Sequence, residues 1–375
     1  MTLDENALFA ALDDFRIELP SWAFNNSGTR FHVFEQPGAP ADAFAKVDDA
    51  ATVHRYTGAA PLVSLHIPWD AVADYRELAA HAVEQGLAIG AINSNTFQDD
   101  AYRLGSLAHP DAAVRRKALA AVMECGEIAA ATGAHAVKVW LGDGTNYPGQ
   151  DSFRLRLERL EAGFREIHDG LPDGVRLLIE YKLYEPAFYA TDVPDWGTAL
   201  LLCERSGPNA RVVVDLGHHA AGVNIEQIVA VLLSAGRLGA FDLNDRKHGD
   251  DDLIAGSINP YQLFLVFAEL AGVEAARGVS YMVDQAHNIE PKVPALIRTV
   301  MTLQEQWAKA VLIDRTRLEC LQAEGDVLGA NAVVKDAYDT DVRPLLARWR
   351  ERHGLAPDPF NAYLESGDEA RRRRR

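Results

Sequence analysis

The feature that most constrains this chain is a recurrence. Short apolar, often β-branched runs occur at Pro61–Ile67, Leu87–Ile92, Ala134–Leu141, Val175–Tyr181, Arg211–Leu216, Leu238–Leu243 and Val279–Asp284, with a weaker first run near Phe15–Leu19 or Trp22–Phe24. Between them lie stretches with helical spacing. Tyr75, Leu78, Ala79, Ala82 and Val83 form one apolar stripe before Gly86, and Val114, Ala118, Val122, Cys125 and Ile128 form another before Gly133. Near-continuous apolar strands alternating with helices require a parallel sheet covered on both faces. About eight such units fill the chain to roughly residue 310 with no Pro/Gly/Ser linker, which predicts an α/β fold of the closed (β/α)8 TIM barrel type. No G-x-G-x-x-G or G-x-x-x-x-G-K-[ST] follows any strand, so the usual phosphate cradles of an open nucleotide-binding sheet are missing.

The predicted organisation is a barrel over residues 1–310, a C-terminal helical extension over 311–353 and a tail over 354–375. A helical extension outside a barrel is often a subunit contact. The five terminal arginines read as a solvated, frayed end.

Charge narrows the function. The chain has 54 acidic against 37 basic residues and a formal net charge of −17, so its own field opposes extended contact with nucleic acid or an anionic membrane. No run reaches the roughly 18 apolar residues of a membrane span, and the start, "MTLDENALFAALDDFRIELP", lacks a basic n-region. Cys125, Cys203 and Cys320 are too dispersed for a zinc ribbon or a disulfide framework. A cytoplasmic protein acting on a small molecule is expected.

In a (β/α)8 barrel the chemistry sits where strands end, so polar residues closing the apolar runs are the ones to collect. Strand two ends in His66 with Trp69 and Asp70, strand three in Asn93 to Asn95, and strand four in Trp140 with Asp143. Strand five gives Glu180 and Lys182, and strand six gives Asp215, His218 and His219. Strand seven gives Asp242, Asn244 and the loop "NDRKHGDDDL"; strand eight gives Asp284, Gln285 and His287. Singly each has a structural explanation: a core histidine for His66, a helix N-cap for Asp70, a solvated loop for "DDD". Together Glu180, Asp215, Asp242 and Asp284 would place four carboxylates at one barrel mouth, where they repel unless a cation joins them. Carboxylate oxygens with an occasional imidazole suit Mg²⁺ or Mn²⁺ better than zinc. Asp215 with His218, and Asp250 with Asp252, are spaced to serve a second ion. With Lys182, His66 and a wall of Trp22, Trp69 and Trp140, the pocket suits a polyol or sugar.

At these residues the chain resembles the metal-dependent L-rhamnose isomerases of the broad-specificity bacterial type, a branch of the xylose isomerase-like barrels. The matching stretches are "GTRF" (28–31), "VSLHIPWD" (63–70), "NSNTF" (93–97), "GDGTNYPGQ" (142–150), "YEPAFY" (184–189), "VDLGHHA" (214–220), "KHGDDDL" (247–253), "PYQLFLVFAEL" (260–270) and "VDQAHN" (283–288). They run in order over roughly residues 20 to 345. The resemblance implies an aldose–ketose isomerase, usually a homotetramer, interconverting L-rhamnose and L-rhamnulose, with D-allose and D-allulose as further substrates. It implies two divalent cations per subunit, Mn²⁺ first, with Co²⁺ or Mg²⁺ as alternatives. One cation would be held by Glu180, Asp215, Asp242 and Asp284, the other by His218, Asp250 and Asp252 with Asp215 nearby. Lys182 would contact substrate oxygens and His66 would assist ring opening or proton handling. Trp22, Trp69 and Trp140 would line the pocket, and Phe31 would reach a neighbouring subunit's site.

The implied chemistry is ring opening followed by a metal-assisted hydride shift between C1 and C2; an enediol route would need Asp284 or Glu180 as base. A histidine is usual where this chain has Asp242, whereas related xylose isomerases place an aspartate there in a similar D-L-N context. Four carboxylates carry one more negative charge than a set with histidine, which favours harder ions. A carbohydrate epimerase or dehydratase on the same barrel, and a non-catalytic sugar-binding homologue, are the alternatives. The second-site ligands in "HGDDD" weigh against the first, and the retained ligand set weighs against the second.

Overall fold

The structure is a computed structural model that describes residues 4–29, 31–185, 189–286 and 289–374. Its centre is a closed barrel of eight parallel strands: β1 (Ile17–Pro20), β2 (Leu62–Ile67), β3 (Ala88–Ser94), β4 (Ala136–Trp140), β5 (Arg176–Glu180), β6 (Ala210–Asp215), β7 (Leu238–Leu243) and β8 (Ser280–Val283). Each pairs with its neighbours in sequence, and β1 closes the ring against β8 and β2. Seven of these strands follow the predicted apolar runs. The weak first run resolves as β1, with Trp22 just beyond it in a short 3-10 turn, Ser21–Phe24.

Strand β1 was hard to read because Glu18 interrupts its apolar pattern. The Glu18 carboxylate lies inside the barrel, accepting hydrogen bonds from the Ser64 hydroxyl and the Ala91 amide. It also fixes a glycine on β3: a Cβ on Gly90 would come within 2.2 Å of the Glu18 carboxyl. Around it the barrel interior is filled by Ala91, Ala136, Leu178, Val213, Ala240 and Met282.

Helices α1 (Glu5–Asp14) to α9 (Lys292–Val311) form the outer layer: α2 (Ala43–Thr57), α3 (Tyr75–Glu84), α4 (Ala112–Thr132), α5 (Phe153–Gly170), α6 (Trp196–Ser206), α7 (Ile225–Ser234) and α8 (Pro260–Ala268) lie between them. Most of their starts are capped by side chains, for example by Asp111 on α4 and Asp195 on α6, each of which satisfies a first-turn amide. Of the predicted stripes, Leu78, Ala82, Ala118, Val122, Cys125 and Ile128 are buried, Tyr75, Ala79 and Val114 are half-buried, and Val83 faces solvent.

Beyond the barrel run α10 (Arg315–Glu324), α11 (Val327–Asp339) and α12 (Arg343–Arg352). The expected tail is ordered as α13 (Pro359–Ser366) and α14 (Asp368–Arg372). The terminal arginines are not all solvated. Arg372 is buried and its guanidinium pairs with Asp49 of α2, while Tyr56 donates to Asp368. Among the described residues no helix is long and apolar enough to cross a membrane.

Candidate metal and sugar site

The carboxyl ends of the strands converge as the spacing predicts. Glu180 closes β5, Asp215 closes β6, Asp242 lies near the end of β7 and Asp284 follows β8. One ligand atom from each of these four lies within 4.8 Å of the others, and Glu180, Asp215 and His218 form a second group by the same measure. Glu180 and Asp215 belong to both. Asp250 joins through His218, whose Nε2 is 2.8 Å from its Oδ1, and Asp252 lines the same cavity. Neither falls inside the two compact groups.

Supporting contacts aim these ligands. Asp215 accepts from the Gly217 amide at 2.6 Å and from the Asn244 side chain at 3.0 Å. The Trp22 indole donates to Asp284 Oδ1 at 2.8 Å, so this tryptophan orients a carboxylate as well as forming wall. His218 Nδ1 lies 3.0 Å from the Tyr181 carbonyl, which fixes the ring. Asp250 and Asp252 both have left-handed backbone, at φ 57° and 47°. Two such non-glycine residues in one short loop cost about 1–3 kcal/mol each, a strain typical of side chains aimed for a purpose.

Electrostatics ask for a cation. Burial, with Glu180, Asp284 and Asp250 adding to it against the pull of His218, pushes the Asp215 carboxyl up to about 7. Burial likewise raises Asp284, Asp242 and Asp252, with neighbouring carboxylates adding to it. Glu180 is the exception: burial would raise it, but Lys138 and His218 hold it down at about 2. The Asp242 Oδ1 atom is buried with no hydrogen-bond partner. An orphaned carboxylate oxygen within a group of four carboxylates fits a hard divalent ion.

Above the carboxylates opens a cavity of about 280 Å³ lined by Trp22, His66, Trp69, Phe97, Trp140 and Lys182 among others. His66 stacks on Trp69 at 3.8 Å between centroids, with Trp22 edge-on at 5.5 Å. Burial, with Lys138 and Lys46 adding to it, drops its imidazole to about 3, so the ring is neutral at ordinary pH. Its Nδ1 has no partner. Lys182 lies 5.1 Å from the Trp140 ring and pairs with Asp250 and Glu185. Phe97, packed edge-on against Trp140 at 4.9 Å, completes a wall that the sequence reading left to the tryptophans.

Several strand-end residues have other work. Asp70 does not cap a helix; Asp74 caps α3. The Asp70 carboxylate is buried, where it pairs with Lys46 and accepts from the Ser21 hydroxyl and the His66 amide, tying β1 to β2. Asp143 turns away from the cavity and accepts from Ser106 and Ala108, pinning the loop after β3. His219 bonds the Tyr181 hydroxyl at 2.7 Å. Asp245 and Asp251 receive loop amides, from Ile258 and Asn259 in one case and from Lys247, His248 and Gly249 in the other. Phe31 is 90 % exposed in a hairpin and is absent from this chain's own cavity. His287 lies outside the described residues.

The group that sequence reasoning missed is Lys138. It stands in mid-strand on β4, buried, with Nζ paired to Asp242 and 3.5 Å from Glu180 Oε2. Burial alone would favour the neutral amine, but Asp242, Glu180 and Asp284 outweigh it and keep the ammonium. The expected excess charge of a four-carboxylate set is therefore partly cancelled from within. The only signal was a lysine inside "AHAVKVWL", a run otherwise apolar enough to be a plain barrel strand.

Comparison with known proteins agrees with this architecture. Residues 50–267 match the family model described as xylose isomerase-like TIM barrel. A probable sugar isomerase of Rhizobium meliloti (strain 1021) is 44% identical over 98% of this chain and 88% of its own length. One of Mesorhizobium japonicum is also 44% identical, over 98% and 87%. Among solved structures, a xylose isomerase domain protein from Alicyclobacillus acidocaldarius subsp. acidocaldarius superposes with a TM-score of 0.56 at 16% identity, covering 79% of this chain and 99% of that one, a likeness of fold.

Proposed function

Because the chain belongs to the xylose isomerase-like TIM barrel family, we propose that it is a divalent-metal-dependent aldose–ketose isomerase acting on L-rhamnose, with related aldoses as further substrates. The observation that carries this reading is the convergence of Glu180, Asp215, Asp242 and Asp284, with one buried oxygen left unpaired, beneath a tryptophan-walled cavity. The sugar isomerase names of relatives covering nearly the whole chain support the reaction class.

Two cations fit the donors. The first would be held by Glu180, Asp215, Asp242 and Asp284, and the second by His218, Asp250 and Asp252 with Asp215 shared. Mn²⁺ suits the mix of carboxylate and imidazole best, with Co²⁺ or Mg²⁺ as substitutes. Cations bound there supply Lewis acidity toward the sugar's adjacent oxygens. The protein's own groups do the rest. Neutral His66 can accept or return a ring-hydroxyl proton at the cavity wall, the Lys182 ammonium can donate to a substrate oxygen, and Trp22 and Trp140 give flat faces for the C–H side of the sugar. The isomerisation moves one hydrogen between C2 and C1 while a proton passes between their oxygens.

Initial rates on L-rhamnose, D-allose, D-xylose and L-mannose, read as ketose formed, should show the highest kcat/KM for L-rhamnose. Activity confined to D-xylose would move the substrate assignment, and conversion of ketose to epimer without aldose would overturn the reaction class.

We also propose a homotetramer in which Phe31 enters the neighbour's pocket. Phe31, Val33, Phe34 and Ile289 expose apolar surface near the barrel mouth, at 90%, 58%, 46% and 89%. Phe31→Ser should then lower kcat/KM by about tenfold, roughly the value of one lost hydrophobic contact in a pocket, with the melting curve unchanged. A fully active monomer in sedimentation would contradict it.

A further inference from the structure

We infer that Lys138 is a built-in counter-charge of the first cation site, setting both the orientation of Asp242 and the affinity of the site. The inference rests on the metal-dependent reading above. Lys138 comes from β4 and Asp242 from β7, so the pair spans the inside of the barrel near its mouth. The ammonium pairs with Asp242 Oδ2, stands 3.5 Å from Glu180 Oε2 and lies 5.6 Å from the Trp22 ring, the same indole that donates to Asp284. It therefore touches or neighbours three of the four carboxylates that would hold the ion.

With Oδ2 committed to Lys138, Asp242 can offer only Oδ1, and that is the buried oxygen left without a partner. Asp242 is thus presented as a one-oxygen ligand in a fixed plane. The ammonium also subtracts one charge from the four-carboxylate set. In a buried site each unit of charge a few ångströms from the ion shifts affinity strongly, and partners just outside the ligands are worth about 10–100-fold in metal binding. Lysine is suited to this because its charge is compact and sits on a flexible stem that can follow the carboxylate.

The test uses the protein stripped with a chelator and titrated calorimetrically with Mn²⁺ alone. Lys138→Met leaves four uncompensated carboxylates and should bind Mn²⁺ about tenfold more tightly. Asp242→Asn removes one carboxylate charge, leaves the ammonium among three carboxylates and should bind at least about tenfold more weakly. The double variant restores the wild-type net charge with a neutral pair of similar size, and its affinity should return toward wild type although a ligand oxygen of reduced charge remains.

If Lys138 is only a packing or fold-supporting residue, the double variant would be as weak as Asp242→Asn or weaker. That result, or a Lys138→Met protein that binds Mn²⁺ no more tightly than wild type, would overturn the inference. Should Lys138→Met fail to fold without metal, the comparison of Asp242→Asn with the double variant decides alone. A wild-type protein that takes up no Mn²⁺, Co²⁺ or Mg²⁺ would instead overturn the metal reading beneath it.

Discussion

Replacing Asp215 with asparagine is expected to abolish turnover, by about a thousandfold or more, while leaving the barrel folded. Asp215 is fully buried and belongs to both compact ligand groups. Loss of one central charged ligand forfeits several kcal/mol of the stabilisation a divalent ion gives at adjacent oxygens, and about 4 kcal/mol is a thousandfold in rate. Asparagine keeps the shape and the oxygen that receives the Gly217 amide. The stripped variant should melt no lower than stripped wild type, because burial and neighbouring carboxylates already press on the Asp215 carboxyl. The check pairs an initial-rate assay with melting curves in chelator. Turnover within tenfold of wild type would remove Asp215 from the ligand set.

Lys182→Met should cost about a hundredfold in kcat, in the range of one lost charged or proton-handling partner in a catalytic site. The ammonium reaches over the cavity beside Trp140 and pairs with Asp250 and Glu185. Methionine preserves the stem that packs on the indole but supplies no donor. Because the change frees Asp250 from its ion pair, Mn²⁺ binding should not weaken. A variant with normal kcat would show that Lys182 serves only to hold the Asp250 loop; a variant that loses Mn²⁺ as well would show that the loop, and not the substrate, needs the lysine.

The barrel was legible because burial on both faces forces near-continuous apolar strands, and the seven clearest runs carry that mark. Strand β1 was not, since Glu18 breaks its pattern and is stabilised by Ser64 and Ala91 from other strands. The converging carboxylates could be anticipated from topology alone: residues closing parallel strands of one barrel must meet at its mouth. What topology does not give is the direction of each side chain. Asp70 and Asp143 close strands as the ligands do, yet one is spent on Lys46 and Ser21 and the other on loop amides. Lys138 was hidden for the opposite reason. A lone lysine in an apolar run has no local partner, and its carboxylate lies 104 residues away. Arg372 was misread in the same way, because Asp49 is 323 residues distant. Long-range pairs of this kind leave only the anomaly of a charge in an apolar setting.

Lys138 also changes what the ligand set implies about the ion. Four free carboxylates would favour the hardest cation available, whereas four carboxylates sharing one ammonium are less negative and keep Mn²⁺ and Co²⁺ competitive with Mg²⁺. The Asp242 position should therefore be judged together with its partner on β4.

The most direct test of the account uses L-rhamnose deuterated at C2, incubated with the chelator-stripped protein and with the same protein reconstituted with Mn²⁺, and followed by NMR. The account predicts L-rhamnulose only in the reconstituted sample, with the deuterium retained at C1. Ketose forming at the same rate in the verified metal-free sample, or none forming in either, would contradict it.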